Sequence, residues 1–356
     1  MMMNFKEMNK QELIDYIASI KAKYAGKIAI PAHHYENSDL VKLSDVVGDS
    51  YKLAVDCAKL SAEFVVFCGV RFMAEGSAVL AAKGQRVIHP ESSAGCPMAD
   101  MISEDSALEA YGKISKLTDK PIAPVVYMNS YVDMKAFCGE RGGAVCTSSN
   151  AKKIVKSYLD QGKSVFFSPD HNLGINTARE LGLTDDEICL IKRDYSLEGN
   201  PATAKIFLWD GNCHVHVRFS VEDVEAIRKE YPGIKVIVHP ECIEAVVNAS
   251  DISGSTQKIF NEVTDSSDAV KWAIGTEINF VQRLADDNPH KTIVPLKVSL
   301  CHNMAKITLE NLAESLAAID AYYVNGAELK NEVVVSAEYR ENAKKALKKM
   351  IEIVES

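Results

Sequence analysis

The stretch Lys235-Val236-Ile237-Val238-His239-Pro240-Glu241-Cys242 is a short apolar run that closes on a polar cluster. That is the pattern of a buried parallel strand with chemistry-bearing residues at its carboxyl end. Downstream, Asp251–Ser253, Trp272–Gly275 and Thr292–Ser299 read as three more strands, with helix-like segments between them. Two earlier series have the same form. Lys27–His34, Asp45–Val47, Phe64–Gly69 and Arg86–His89 make the first; Ile122–Met128, Ala144–Thr147, Ser164–Ser168 and Lys205–Trp209 make the second. Strands alternating with amphipathic segments predict an α/β fold with parallel sheets.

The three series share more than their alternation. Each first strand ends in a polar cluster: His33-His34-Tyr35, Tyr127-Met128-Asn129-Ser130, and His239-Pro240-Glu241. Each second strand ends in a small hydroxyl-bearing turn, at Gly48-Asp49-Ser50, Cys146-Thr147-Ser148 and Gly254-Ser255-Thr256. Each fourth strand is followed by a cysteine: Cys96, Cys213 or Cys301. Three features in one order favour an internal repeat over the general likeness of β/α units. Domains of residues 1–110, 111–220 and 221–356 are therefore expected, the first carrying an N-terminal helix over Gln11–Tyr24 and the last two closing helices. With strand ends turned inward, all these clusters would face one central cavity. An eight-stranded barrel fits twelve strands in three groups of four less well.

Composition bounds the function. The 356 residues are 47% hydrophobic and 25% charged, which excludes a disordered chain. Forty Lys+Arg against 49 Asp+Glu give a net charge of −9, which argues against nucleic acid or an anionic membrane as partner. The apolar runs fall far short of the ~20 residues of a membrane helix, and the first 24 residues lack a signal peptide's apolar core. A cytoplasmic protein is expected. Nine cysteines then favour thiols over disulfides.

Of these, Cys57, Cys68 and Cys189 sit in apolar surroundings and read as core, as do Cys138 and Cys146. Cys96, Cys213 and Cys301 differ by sharing a place in the repeat. They are either unrelated structural thiols or three ligands of one soft metal centre with a coordination position left open. Five histidines (His33, His34, His214, His216 and His239) crowd the predicted strand ends beside Tyr35, Tyr127 and Glu241, which suggests a proton-handling cavity. His89 reads as structural and His290 as surface. Ser50, Ser148, Ser255 and Thr256 are each placed to cap a helix, and such helix starts also receive phosphate or carboxylate.

These residues resemble the quinolinate synthase family. The likeness rests on Ala32-His33-His34-Tyr35, Val47-Gly48-Asp49-Ser50, Phe67-Cys68-Gly69-Val70-Arg71-Phe72-Met73-Ala74-Glu75 and Gly95-Cys96-Pro97-Met98. It continues through Tyr127-Met128-Asn129-Ser130, Val145-Cys146-Thr147-Ser148, Asn172-Leu173-Gly174 and Cys213-His214-Val215-His216. Val238-His239-Pro240-Glu241-Cys242, Gly254-Ser255-Thr256, Gly275-Thr276-Glu277 and Cys301-His302-Asn303-Met304 complete it, so that it runs from Lys27 to Leu312.

The resemblance implies three similar αβα domains in a pseudo-threefold arrangement around a central active site. It implies a [4Fe–4S] cluster on Cys96, Cys213 and Cys301, with the fourth iron open to substrate as a Lewis acid; Cys242 is not a ligand in the family pattern. The implied reaction condenses iminoaspartate with dihydroxyacetone phosphate to quinolinate, phosphate and water, in de novo NAD biosynthesis. An L-aspartate oxidase or aspartate dehydrogenase would supply the imine. By the same carry-over, His33, Ser50, Tyr127, Asn129, Ser148, His239, Glu241 and Thr256 bind substrate, and Tyr35, His216 and Glu241 move protons. Glu36 and His171 stand where the family often has Gln, and His302 where it often has Pro. An aconitase-like hydro-lyase is the chemical rival, although it usually needs a CxxC pair that this chain lacks. A non-catalytic binding module for sugar phosphates or dicarboxylates is the rival from another class.

Overall fold

A computed structural model describes residues 4–356 of the chain. The fold is α/β with short parallel sheets, as expected. The chain divides into two compact units, Met1–Cys96 with Leu300–Val335, and Pro97–Ser299 with Ser336–Ser356.

In the first unit the strands Ile28–Ala29, Phe64–Val66 and Arg86–Ile88 form one parallel sheet, and Pro31–His33 pairs with Val46–Gly48 in a second. The single strand expected over Lys27–His34 is thus broken at Ile30. Pro31 has no N–H to extend the ladder. The N–H of Ile30 instead reaches the Asp45 carboxylate at 2.8 Å, and the Pro31 carbonyl accepts from Cys68 N at 2.9 Å. Helix Lys10–Lys23 starts at an Asn9–Glu12 capping box. It buries Leu13, Ile17 and Ile20 in a core with Phe64, Leu312 and Leu316, the last two from helix Leu309–Asn325.

The second unit holds two sheets. One runs Ile252–Ser253, Lys235–Val238, Trp272–Gly275, Ile293–Pro295, all parallel. The other has Ala144–Cys146, Ile122–Tyr127, Ser164–Ser168 and Ile206–Trp209 as a parallel set, then Ile188–Ile191 and the antiparallel Leu197–Glu198. These last two strands were not anticipated from the sequence. All three series share one spatial order, with the second strand beside the first, then the third, then the fourth.

The repeat extends to hydrogen-bond detail. Asp251 accepts from Val236 N at 2.7 Å as Asp45 does from Ile30 N. Each of Cys96, Cys213 and Cys301 is followed by a turn and a 3-10 helix that begins three residues on, at Ala99–Met101, His216–Arg218 and Met304–Lys306. After each comes a capping box at Ser103, Ser220 or Thr308, which opens the helices Glu104–Ile114, Val221–Glu230 and Leu309–Asn325.

Within the second unit, helix Val132–Glu140 packs on the closing helix Ala337–Glu355 at Gly139. A Cβ there would stand 1.9 Å from the Asn342 carbonyl oxygen. Gly139→Ala should therefore lower stability by about 3 kcal/mol through overpacking, read from urea unfolding. A change within ~0.5 kcal/mol, ordinary for a surface site, would contradict this close approach.

Candidate functional site

Glu241 is the centre of the polar cluster in the second unit. It follows strand Lys235–Val238 and is 2% exposed. A carboxylate so buried must be hydrogen-bonded. The Tyr127 hydroxyl donates to its Oε1 and His216 Nδ1 donates to its Oε2 at 2.7 Å. The other His216 nitrogen meets the Thr276 hydroxyl at 3.0 Å. Burial raises the Glu241 carboxyl, but the neighbouring imidazoles of His239 and His216 and the two hydrogen bonds more than offset it, holding it below the usual carboxylate range. Glu241 is an anion at neutral pH.

His239 stacks on His216 with ring centroids 4.4 Å apart and is itself buried. Burial drives its imidazole down to about 3, with Glu241 opposing, so the ring is neutral. Its tautomer follows from its partners. Nδ1 accepts the Glu241 backbone N–H at 3.3 Å, which leaves the proton on Nε2, facing the Ser148 hydroxyl at 3.2 Å. Ser148 therefore receives a hydrogen bond and keeps its own proton to donate onward. In the first unit His33 repeats this geometry, with Nδ1 accepting Tyr35 N–H at 3.1 Å and the Tyr35 ring edge-on at 4.6 Å.

The structure gathers Tyr127, Ser148, His216, His239 and Glu241 in the second unit, while His33, Tyr35 and Ser50 belong to the first. Asn129, just beyond strand Ile122–Tyr127, has its Oδ1 buried without a hydrogen-bond partner, an acceptor that a ligand N–H or O–H would satisfy. The expectation that Ser50, Ser148 and Thr256 cap helices is corrected. Asp49 caps Ser50–Cys57 and Ser255 caps Thr256–Asp265, placing Ser50 and Thr256 one step inside. Helix Ala151–Leu159 starts at Asn150, which leaves Ser148 in the preceding turn. A neighbour does the capping where a side chain caps at all, so these three hydroxyls are spared that duty. Beside Ser148 opens a cavity of about 220 Å³ that Asn176, Thr177, Ser255 and Lys258 also line. The starts of helices Ala151–Leu159 and Thr256–Asp265 flank it, which suits an anion.

Three residues were missed as site components. Thr276 was quoted in a motif without a role. Asp170 is wholly buried next to Glu241, and both burial and that charge hold its carboxyl well above the usual range. Lys135 is fully buried and donates to the backbone carbonyls of Met128 and Ser130, fixing the loop that carries Asn129. A lysine on a helix reads as solvated, so no sequence signal marks it.

The sequence pattern of the family described as Quinolinate synthetase A protein matches residues 15–352. The chain belongs to the quinolinate synthase family. It is similar to the quinolinate synthase of Listeria monocytogenes, 41% identical over 356 residues, 98% of this chain and 96% of that one. The quinolinate synthases of Bacillus cereus and Bacillus subtilis are 40% and 36% identical, each over 98% of this chain and 95% of theirs. It is an enzyme of the quinolinate synthase kind. Among the described residues no helix is long and apolar enough to cross a membrane.

Two buried histidines of this family member, and a third that is partly buried, make its stability pH-dependent. His239, His89 and His171 all have lowered values, with burial the leading cause, so the folded chain resists protons that the unfolded chain takes up below about 6.5. Stability should fall as pH drops from 6.5 toward 4. Asp170 works in the opposite sense there, but it is one proton against three. Urea midpoints that stay level across this window would contradict neutral buried imidazoles.

Proposed function

We propose that this chain condenses iminoaspartate with dihydroxyacetone phosphate to form quinolinate in de novo NAD biosynthesis. The balance is redox-neutral: two new bonds close the ring, and one phosphate and two waters leave. An L-aspartate oxidase or aspartate dehydrogenase supplies the imine. The chain is read as three similar αβα domains, 1–110, 111–220 and 221–356, in a pseudo-threefold arrangement about the active site.

Cys96, Cys213 and Cys301 are the proposed ligands of a [4Fe–4S] cluster. The observation that carries this reading is their identical turn, repeated three times, on the only three of nine cysteines that are not buried. The other six suit a core. Burial pushes Cys57 and Cys138 up to about 12 and Cys189 to about 11, and raises Cys68, Cys146 and Cys242 well above an ordinary thiol. A metal-binding thiol needs access to the metal and to solvent for its proton, and the partly exposed Cys96, Cys213 and Cys301 have it, so the donor set fits. Bound there, the cluster would supply an open iron as Lewis acid toward a departing hydroxyl.

The protein's own groups do the rest. Ser148, its oxygen held by His239 Nε2–H, directs its proton to an anionic substrate oxygen, and Asn129 Oδ1 accepts from substrate. His33, Ser50, Tyr127, His239, Glu241 and Thr256 complete the binding set, the helix starts at Ser50 and Thr256 meeting phosphate or carboxylate without an arginine clamp. Glu241, anionic and linked to Tyr127 and His216, takes part in the proton transfers of isomerisation and ring closure by holding these two groups in line and stabilising His216 as it takes up a proton. Tyr35 and His216 are the remaining proton carriers.

Protein isolated without oxygen should be brown and hold about four irons per chain. Colourless protein that cannot be reconstituted with iron and sulfide would contradict the reading.

A further inference from the structure

Cys213, His216 and Glu241 lie close enough to hold a metal ion by themselves. One ligand atom from each falls within 4.8 Å of the others. A tetrahedral zinc with bonds of about 2.0–2.3 Å sets its ligands roughly 3.3–3.8 Å apart, so side-chain shifts of about 1 Å suffice. Cysteine and histidine come from one turn, in which His216 N donates to the Cys213 carbonyl at 3.1 Å. The carboxylate comes from the end of the neighbouring strand Lys235–Val238.

We infer that the cluster-free chain binds a single divalent cation of the zinc type through Cys213 Sγ, His216 Nδ1 and Glu241 Oε2. The surroundings suit it. The cation replaces the proton now shared between Nδ1 and Oε2, which stand 2.7 Å apart. Its binding releases the thiol proton of Cys213 and moves the imidazole proton to Nε2, where the Thr276 hydroxyl, 3.0 Å away, accepts it. Tyr127 donates to Glu241 Oε1 and so orients the carboxylate. Each of the two buried ligands thus has the outer partner that metal-binding histidines and carboxylates characteristically have. Cys213 is partly exposed, which leaves water or a small ligand room at the fourth position. Soft thiolate, imidazole and carboxylate together favour zinc or cobalt(II) over magnesium or calcium.

The site uses one cysteine, so it differs from the three-cysteine cluster and stands whether or not that cluster forms. If both exist they exclude each other, because they share Cys213. A zinc-loaded chain would resist cluster assembly until the metal is chelated.

Cobalt(II) titration of the metal-free full chain under anaerobic conditions tests this. One equivalent should bind with the intense thiolate-to-cobalt absorption of a four-coordinate site, and zinc should bleach it. Cys213→Ser should remove that absorption, and His216→Asn or Glu241→Gln should weaken binding at least tenfold. The double variant Cys96→Ser/Cys301→Ser should bind as the parent does. No cobalt binding, binding indifferent to His216→Asn and Glu241→Gln, or binding that needs Cys96 or Cys301 would overturn the inference. A double variant that binds cobalt while the parent never takes up iron would refute the cluster reading alone.

Discussion

Glu241→Gln should reduce quinolinate formation by about a thousandfold while leaving iron content unchanged. The side chain stays the same size, so the packing around it is kept. Two things are lost. The amide carries no charge and cannot stabilise a protonated His216, and loss of that acid–base step is worth roughly 10²–10⁴ in rate. The amide also brings an NH₂ donor into a position where Tyr127 and His216 both donate, so one donor is left facing another. Tyr127→Phe should cost less, because it removes one partner and leaves the carboxylate. Measurement of kcat with parallel iron analysis and thermal melts separates the cases. A Glu241→Gln chain that turns over within tenfold of the parent would remove Glu241 from proton transfer. One that unfolds would show its role to be structural.

Cys213→Ser should lose iron and activity together, whereas Cys242→Ser should lose neither. The pair is informative because both cysteines flank the same cluster of side chains. Cys213 is partly exposed at the start of the repeated turn, and a serine hydroxyl is a poor iron ligand. Cys242 is wholly buried, its thiol raised by burial with Glu241 and Asp170 adding to it. Serine there costs stability as a buried hydroxyl, without touching the metal. Equal iron in the two variants would contradict the assignment of ligands.

The sequence was most informative where local patterning alone decides. Short β-branched runs that end on polar residues located nine of the twelve expected strands to within two residues at either end, and Lys235–Val238, Ser164–Ser168 and Trp272–Gly275 have the observed bounds. The recurring cysteine marked a turn whose geometry does recur, down to the capping box that follows it. The failures are also physical. Lys27–His34 read as one strand because hydrophobicity continues through Ile30, but the Ile30 N–H turns to Asp45 and Pro31 offers none, so the chain changes sheet there. Thr292–Ser299 shortens to Ile293–Pro295, whose register with Trp272–Gly275 ends at the pair Ile274 and Pro295. Leu197–Glu198 is a two-residue edge strand with little apolar signal, whereas Ile188–Ile191, between it and Ile206–Trp209, is apolar throughout and escapes only because a four-strand series has no place for it. Ser255 caps as expected, whereas Ser50 and Thr256 stand one residue past the cap, because Asp-Ser and Ser-Thr each offer two acceptable capping residues and the backbone chooses the first.

The site was legible as a set of residue types, and much less as a set of contacts. That Tyr127, His216 and Glu241 belong together came from position in the repeat, whereas their direct linkage needed coordinates. Asp170 and Lys135 were hidden for one reason. Ionisable residues are rarely buried, so their sequence signature is that of a surface.

The most direct test is to supply anaerobically isolated protein with iminoaspartate and dihydroxyacetone phosphate and follow quinolinate and phosphate together. The account predicts one quinolinate for each phosphate, with no oxidant or reductant added. Iron-replete, folded protein that forms no quinolinate, or that releases phosphate without it, would contradict the account.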